Sequence, residues 1–279
     1  MRIDSHHHFW NYSAEAYPWI GPHMSQLRRD FKPSDLQSEI NAVGIDAVVS
    51  VQARQSIEET EWLLATAEQH DFIRGVVGWL PLAAPDVQSE MERLSHDPLF
   101  KSVRHVVQDE PDEAFILGSN FNRGIGLLKD YGLVYDILIF TRQLANIIRF
   151  VDRHPEQEFV LDHIAKPTIA AEQFDTGWAE NFRELAKRPN VTCKFSALVT
   201  EVRDQEWSVA QLQPYWDVAL EAFTPQRLMF GSDWPVCLLR SSYARWFAAV
   251  GELSASLSQN EKAEVWGQTA ARAYHLRSI

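Results

Sequence analysis

Eight short apolar runs, each followed by a stretch with helical patterning, narrow the folds open to this chain more than anything else in it. The runs cover residues 2–10, 47–52, 73–80, 101–107, 133–140, 159–163, 191–197 and 227–233. Several are apolar without alternation, the pattern of strands covered on both faces. Helical patterning fills 33–44, 56–70, 86–95, a stretch ending at Tyr131, 141–154, 178–187, 209–223, 243–253 and 260–275. Ser56 with Glu59 and Ser258 with Glu261 have capping-box spacing, and Gly44 and Gly132 stand where helices stop. Eight βα units in 279 residues predict an α/β chain with a single (β/α)8 TIM barrel spanning 1–279. A doubly wound open sheet is the alternative. It needs a glycine-rich turn after the first strand, where His6-His7-His8-Phe9-Trp10 stands instead.

Composition removes several function classes. The net charge is −12, so a basic face for nucleic acid is not expected, nor is adsorption to anionic lipid. No apolar run approaches the roughly 20 residues that span a bilayer. The two cysteines, Cys193 and Cys237, have no CxxC spacing, which points to a reducing compartment. With no basic-then-apolar leader pattern, a cytoplasmic protein is expected, either monomer or homodimer.

In a barrel of this type, polar residues at the C-terminal ends of strands form the functional site. Here they are His6 and His8, Gln52, Arg104 and His105, Asp136, Asp162 and His163 with Lys166 just beyond, Lys194 and Ser196, and Asp233. Alternate residues of a strand share a face, so His6 and His8 converge and His7 points away. Asp233, in Phe230-Gly231-Ser232-Asp233-Trp234-Pro235, ends its strand and can take a proton from water when cationic groups keep it ionised; the competing reading is a helix N-cap. His163 is a ligand, a carbonyl polariser or a proton shuttle, or else a core histidine held by Asp162. Arg104 offers a fork for a charged oxygen, or closes the barrel in an ion pair with Asp136. The same structural alternative holds for Lys194.

A mononuclear site wants three or four nitrogen and oxygen ligands, and His6, His8, His163 and Asp233 would supply them. Zinc is the first metal to expect. Strand five offers Tyr135-Asp136-Ile137 and no histidine. Trp10, Trp19, Trp79 and Trp234 lie at strand ends or in the first loop, where indole faces can pack on sugar rings.

Several blocks together resemble the amidohydrolase-2 group of the amidohydrolase superfamily. They are Asp4 to Trp10, Val103 to Glu110, Leu161 to Pro167, Cys193 to Ser196 continuing to Glu201, and Met229 to Val236. The resemblance runs in order from residue 3 to about residue 276. It is strongest to the sugar-lactonase branch, which includes L-fuconolactonase- and L-rhamnonolactonase-like enzymes and is related to 2-pyrone-4,6-dicarboxylate lactonase. It implies a barrel hydrolase that opens an aldono-1,4- or 1,5-lactone. Asp233 would be the general base, and His6, His8 and His163 would bind a metal or polarise the carbonyl. Arg104 and His105 would orient substrate, with Gln52, Lys194, Trp10 and Trp79 as further substrate contacts. The absent strand-five ligand implies a metal that is weakly held or dispensable. Two other readings compete: a metal-dependent decarboxylase of the same superfamily, and a non-catalytic sugar-acid binding protein.

Overall fold

The computed structural model describes residues 1–171 and 173–277. Its eight strands are β1 (Ile3–His7), β2 (Ala47–Val51), β3 (Ile73–Gly78), β4 (Phe100–Val106), β5 (Val134–Leu138), β6 (Phe159–Leu161), β7 (Val191–Phe195) and β8 (Leu228–Phe230). They pair in parallel in sequence order. The chain after β8 closes the ring on β1, where His8 N donates to Trp234 O at 2.7 Å and Asp233 N to His6 O at 2.7 Å. This is the expected (β/α)8 barrel.

The helices are α1 (Pro33–Val43), α2 (Ile57–Glu68), α3 (Val87–Ser95), α4 (Ser119–Leu128), α5 (Leu144–Asp152), α6 (Thr176–Ala186), α7 (Leu198–Glu201), α8 (Val209–Phe223), α9 (Tyr243–Leu253), α10 (Gln259–Ala263) and α11 (Thr269–Ala273). None is long and apolar enough to cross a membrane. Gly44 and Gly132 adopt left-handed φ of 75° and 66° at their helix ends, as expected of stop residues. The Ser258–Glu261 capping box forms. At α2 only half of the expected box does: Ser56 caps Glu59 N, but the Glu59 carboxylate turns to Ala53 N, Arg54 N and Tyr17 OH. Buried loop donors compete for that acid and win.

The large apolar core lies between strands and helices, and a smaller one fills the barrel. Ile3, Ala47, Val49, Val51, Val77, Val134, Val160 and Met229 form the inner cluster, and Ala270 and Tyr274 join it from the C-terminal segment. The inside of the barrel is thus a packed plug.

Most strands are shorter than their apolar runs, because the last residues leave the ladder to build the mouth. The clearest case follows β6. His163, Ile164, Ala165 and Lys166 all have φ between 45° and 62°. Each costs an L-residue about 1–2 kcal/mol, so surrounding bonds must hold the turn. Trp178 Nε1 donates to Ile164 O at 2.6 Å, and Thr141 Oγ1 reaches Ala165 O and Lys166 O, both at 3.0 Å.

Candidate active site

In β1 the register with β2 shifts between Asp4 and His7. The bulge lets Ile3 join the barrel plug while His6 and His8 both face the mouth. His7 turns outward, with Nε2 2.9 Å from Ser50 Oγ and its ring edge-on to Phe9. Gly231 brings the end of β8 close: a Cβ there would lie 2.9 Å from His6 Cβ and 3.0 Å from Ser196 Cβ. Asp233 follows with φ of 55°. Its carboxylate goes to the histidines, and the following turn starts after Pro235, so it is not an N-cap.

His6 Nε2, His8 Nε2 and Asp233 Oδ1 form a triangle. The edges are 3.2 Å between the nitrogens, 3.1 Å from His8 to Asp233 and 3.6 Å from His6 to Asp233. His8 Nδ1 faces Val51 O at 2.8 Å; a carbonyl only accepts, so Nδ1 carries the proton and Nε2 a lone pair. Arg104 Nη1 lies 3.3 Å from His6 Nε2, and a guanidinium only donates, so that nitrogen is an acceptor too. Burial pushes the His6 pKa well down, and it drives that of His163 down to about 3. Burial alone would raise Asp233, but His163, His8 and Lys166 outweigh it and hold the carboxyl below its usual value. Three lone-pair groups this close call for a positive charge among them.

That donor set fits a divalent ion. Ligand atoms at 2.0–2.2 Å from a tetrahedral zinc stand about 3.3–3.6 Å apart, close to the edges of the triangle. His6, Asp162 and His163 form a second possible grouping. His163 sits beside His6, ring centres 4.4 Å apart, and its Nδ1 lies 2.8 Å from Ser196 Oγ. Ser196, rather than Asp162, therefore holds His163.

Beneath the triangle lies a layer of paired charges. Lys194 Nζ is 2.6 Å from Asp136 Oδ2, 2.9 Å from Asp162 Oδ1 and 3.2 Å from His6 Nδ1. Arg104 Nη1 is 3.0 Å from Asp162 Oδ2, and Nε and Nη2 donate to Gln52 Oε1 at 3.1 and 2.7 Å. Asp136 also accepts from Ser102 Oγ and Tyr274 OH, each at 2.6 Å. The expected pair is thus redistributed: Lys194 takes Asp136, and Arg104 reaches Asp162. Burial raises Asp136 despite Lys194. It would raise Asp162 too, but Lys194, His6 and Arg104 together pull that carboxyl well below its usual value.

This geometry corrects three substrate contacts expected from the sequence. Lys194 is fully buried in its ion pairs and does not reach the mouth. Arg104 has its fork engaged by Gln52, Asp162 and His6. Trp10 is buried, donates to Arg29 O, and packs among Tyr17, Trp19 and Phe31, so it offers no open face. Gln52 is a clamp on Arg104 that leaves its Nε2 unpartnered. Trp79 and His105 stay near the rim, joined by Trp79 Nε1 to His105 Nδ1 at 3.3 Å. There His105 meets Glu110 at 2.7 Å and stacks on Phe115.

The sequence reading gave Glu59 only a capping role and passed over Tyr17. Their 2.9 Å hydrogen bond, with Trp19 Nε1 to Ala53 O at 3.0 Å, pins the first loop over the edge of the mouth. An acid on the buried face of α2 was the available signal. It also left Asp4 without a role; the structure shows it accepting from Ser232 N and Tyr243 OH across the barrel seam.

A barrel with histidines on its first strand and an aspartate after its eighth defines a class of hydrolase-like sites, and similarity places the chain within it. The chain belongs to the amidohydrolase family, which it matches over residues 3–276. It is 43% identical to an L-fucono-1,5-lactonase of Burkholderia multivorans, over 99% of this chain and 96% of the relative. A second L-fucono-1,5-lactonase, from Burkholderia ambifaria, is 32% identical over the same shares. A crystal structure of a Burkholderia multivorans amidohydrolase with bound zinc superposes with a TM-score of 0.94 at 43% identity, over 99% of this chain and 100% of that one.

Proposed function

We propose that this chain opens the ring of a sugar-derived lactone, with L-fucono-1,5-lactone the first substrate to try and L-rhamnonolactone among its analogues. The observation that carries the reading is full-length similarity to two L-fucono-1,5-lactonases, joined to an ionised Asp233 beside two histidine lone pairs in a barrel mouth.

Asp233 takes a proton from water as the water attacks the lactone carbonyl. His163 is neutral; with Ser196 donating to Nδ1, it presents Nε2–H to the developing oxyanion. A preorganised donor of that kind is worth roughly 2.7–4 kcal/mol. Held by His6, His8 and Asp233, with His163 adjacent, a zinc ion would polarise the carbonyl and acidify water. Lys166 adds positive charge near Asp233. Trp79 and His105 line the rim where sugar hydroxyls arrive, and the Gln52 amide is free to donate. Arg104 and Lys194 act from beneath, by fixing His6 and Asp162.

The test is acid release, followed with a pH indicator, from L-fucono-1,5-lactone and a panel of aldono-1,4- and 1,5-lactones, with and without chelator. Turnover is expected on at least one lactone and is retained in part with chelator. No acid release from any of them would falsify the reading.

A further inference from the structure

His6 is the most contested corner of the triangle. Its Nε2 accepts, so the single ring proton of the neutral imidazole sits on Nδ1, which faces Asp162 Oδ1 at 3.3 Å. The available lone pair of the ring therefore lies on Nε2. Arg104 Nη1 approaches it from beneath at 3.3 Å, and the other two corners flank it, His8 Nε2 at 3.2 Å and Asp233 Oδ1 at 3.6 Å. His8 and Asp233 differ in this respect. Among the described residues, no lysine or arginine hydrogen-bonds to either side chain.

Arg104 is not free to swing aside. It is buried, its Nε and Nη2 donate to Gln52 Oε1, Nη2 also donates to Gln52 O, and Nη1 donates to Asp162 Oδ2 at 3.0 Å. A guanidinium keeps its charge on burial, whereas a lysine can lose it. An imidazole lone pair points one way and serves one strong partner. A hydrogen bond and a metal ion thus compete for the same electrons on His6, and the fold has already placed one competitor.

We infer that Arg104 sets the metal affinity of this site: its Nη1–H takes the His6 lone pair and brings positive charge to the triangle, so a divalent ion gains His6 only by displacing a guanidinium that stays charged beside it. The inference concerns ion binding and does not rest on the lactone reading. The same contact lets the chain hold three lone-pair groups together with no ion among them.

Zinc affinity, measured on the full chain by competition with a chromophoric chelator, tests this. Arg104→Gln removes the charge and the fork and leaves Asp162 its Lys194 partner at 2.9 Å. Its zinc affinity is expected to rise about 10–100-fold, the scale on which groups beside metal ligands act. The gain is expected to vanish when His8→Asn is added, which assigns it to the triangle. Lys166→Met removes a neighbouring charge whose ammonium lies over the Phe140 ring, and it is expected to change the affinity less than about fivefold. Unchanged or weaker zinc binding in a folded Arg104→Gln overturns the inference. So does an equal gain in Lys166→Met, which would make net charge the cause, or a gain that survives His8→Asn. If Arg104→Gln does not fold by circular dichroism, Arg104→Lys decides. It keeps a charge for Asp162 but has no fork to hold Gln52 and reach His6 at once, so zinc binding tighter than wild type is expected, and equal or weaker binding overturns the inference. Wild type is expected to give up its zinc on dialysis against chelator and to stay folded. Wild type that keeps stoichiometric zinc, or unfolds without it, overturns the inference with no variant needed. No readout uses a lactone, so failure here and failure of the proposed activity are separate results.

Discussion

Two polar layers lie one above the other in this barrel, and they follow opposite rules. In the lower, Asp136, Lys194, Asp162 and Arg104 alternate in sign, and every charge has an opposite charge within 3.0 Å. In the upper, His6, His8 and Asp233 bring lone pairs together, with Arg104 reaching only His6 Nε2, from beneath at 3.3 Å. The first arrangement holds a shape. The second has an unmet need that a ligand, a proton or a metal ion can fill. Charge in the lower layer therefore belongs to stability, and charge in the upper belongs to chemistry.

Removing one charge from the lower layer is the strongest way to break that contrast. Lys194→Met leaves Asp136 and Asp162 buried without their shared ammonium, and loss of one partner of a buried pair costs about 3–5 kcal/mol. Chemical denaturation is expected to show a large fall in stability, with activity lost as a consequence. A variant as stable as the wild type would mean that the layer is not structural.

Asp233→Asn makes the opposite test. It removes an ionised group whose lowered pKa favours the fold, so melting temperature is expected to fall, but by much less than for Lys194→Met. Turnover is expected to fall by about 10²–10⁴-fold, the contribution of a general base. Equal losses of stability and rate would erase the distinction between the layers.

Zinc sharpens the comparison because the upper triangle gathers three lone-pair ligands for it, His6, His8 and Asp233. A ligand at 100 times its dissociation constant stabilises the fold by about 2.7 kcal/mol. Thermal melts with added zinc are expected to rise for the wild type and stay unchanged for His8→Asn. A zinc-induced rise that survives in His8→Asn would place the ion elsewhere.

The two layers also differ in how readily the sequence discloses them. His6, His8 and Asp233 were legible because strand ends of a (β/α)8 pattern have one fate, and period-two spacing settles which face a histidine takes. The lower layer was legible in its members but not in its pairing. Arg104 stands opposite Asp136 in the β4–β5 register, yet its long side chain reaches past to Asp162. Spacing along a strand says nothing about height reached by a flexible chain. The left-handed run from His163 to Lys166 was hidden for another reason. No glycine marks it, and what holds it, Trp178 and Thr141, comes from distant elements. Glu59 misled because the capping-box spacing is real while its carboxylate serves the first loop.

Glu59 supplies the smallest and most delicate test, since it is a buried acid outside both layers with only neutral partners. Burial raises its pKa from 4.5 to about 7, against the pull of Arg54 N, Tyr17 OH, Ala53 N and the more distant charge of Arg104. The folded chain therefore binds this proton more tightly than the unfolded chain does. Its contribution to stability is complete below about pH 4.5 and is lost as pH rises through about 7. Asp162, held well below its usual value by Lys194, His6 and Arg104 against its own burial, has the reverse sign: its contribution is lost only as pH falls through that lowered pKa. The melting temperature of the wild type, measured against Glu59→Gln, is accordingly expected to drop by roughly 5–10 °C between pH 5 and pH 8, about 2.5 kcal/mol from the shift to about 7. A difference that grows in the other direction would mean that Glu59 is ionised in the fold, and that the first loop is held by charge as the lower layer is.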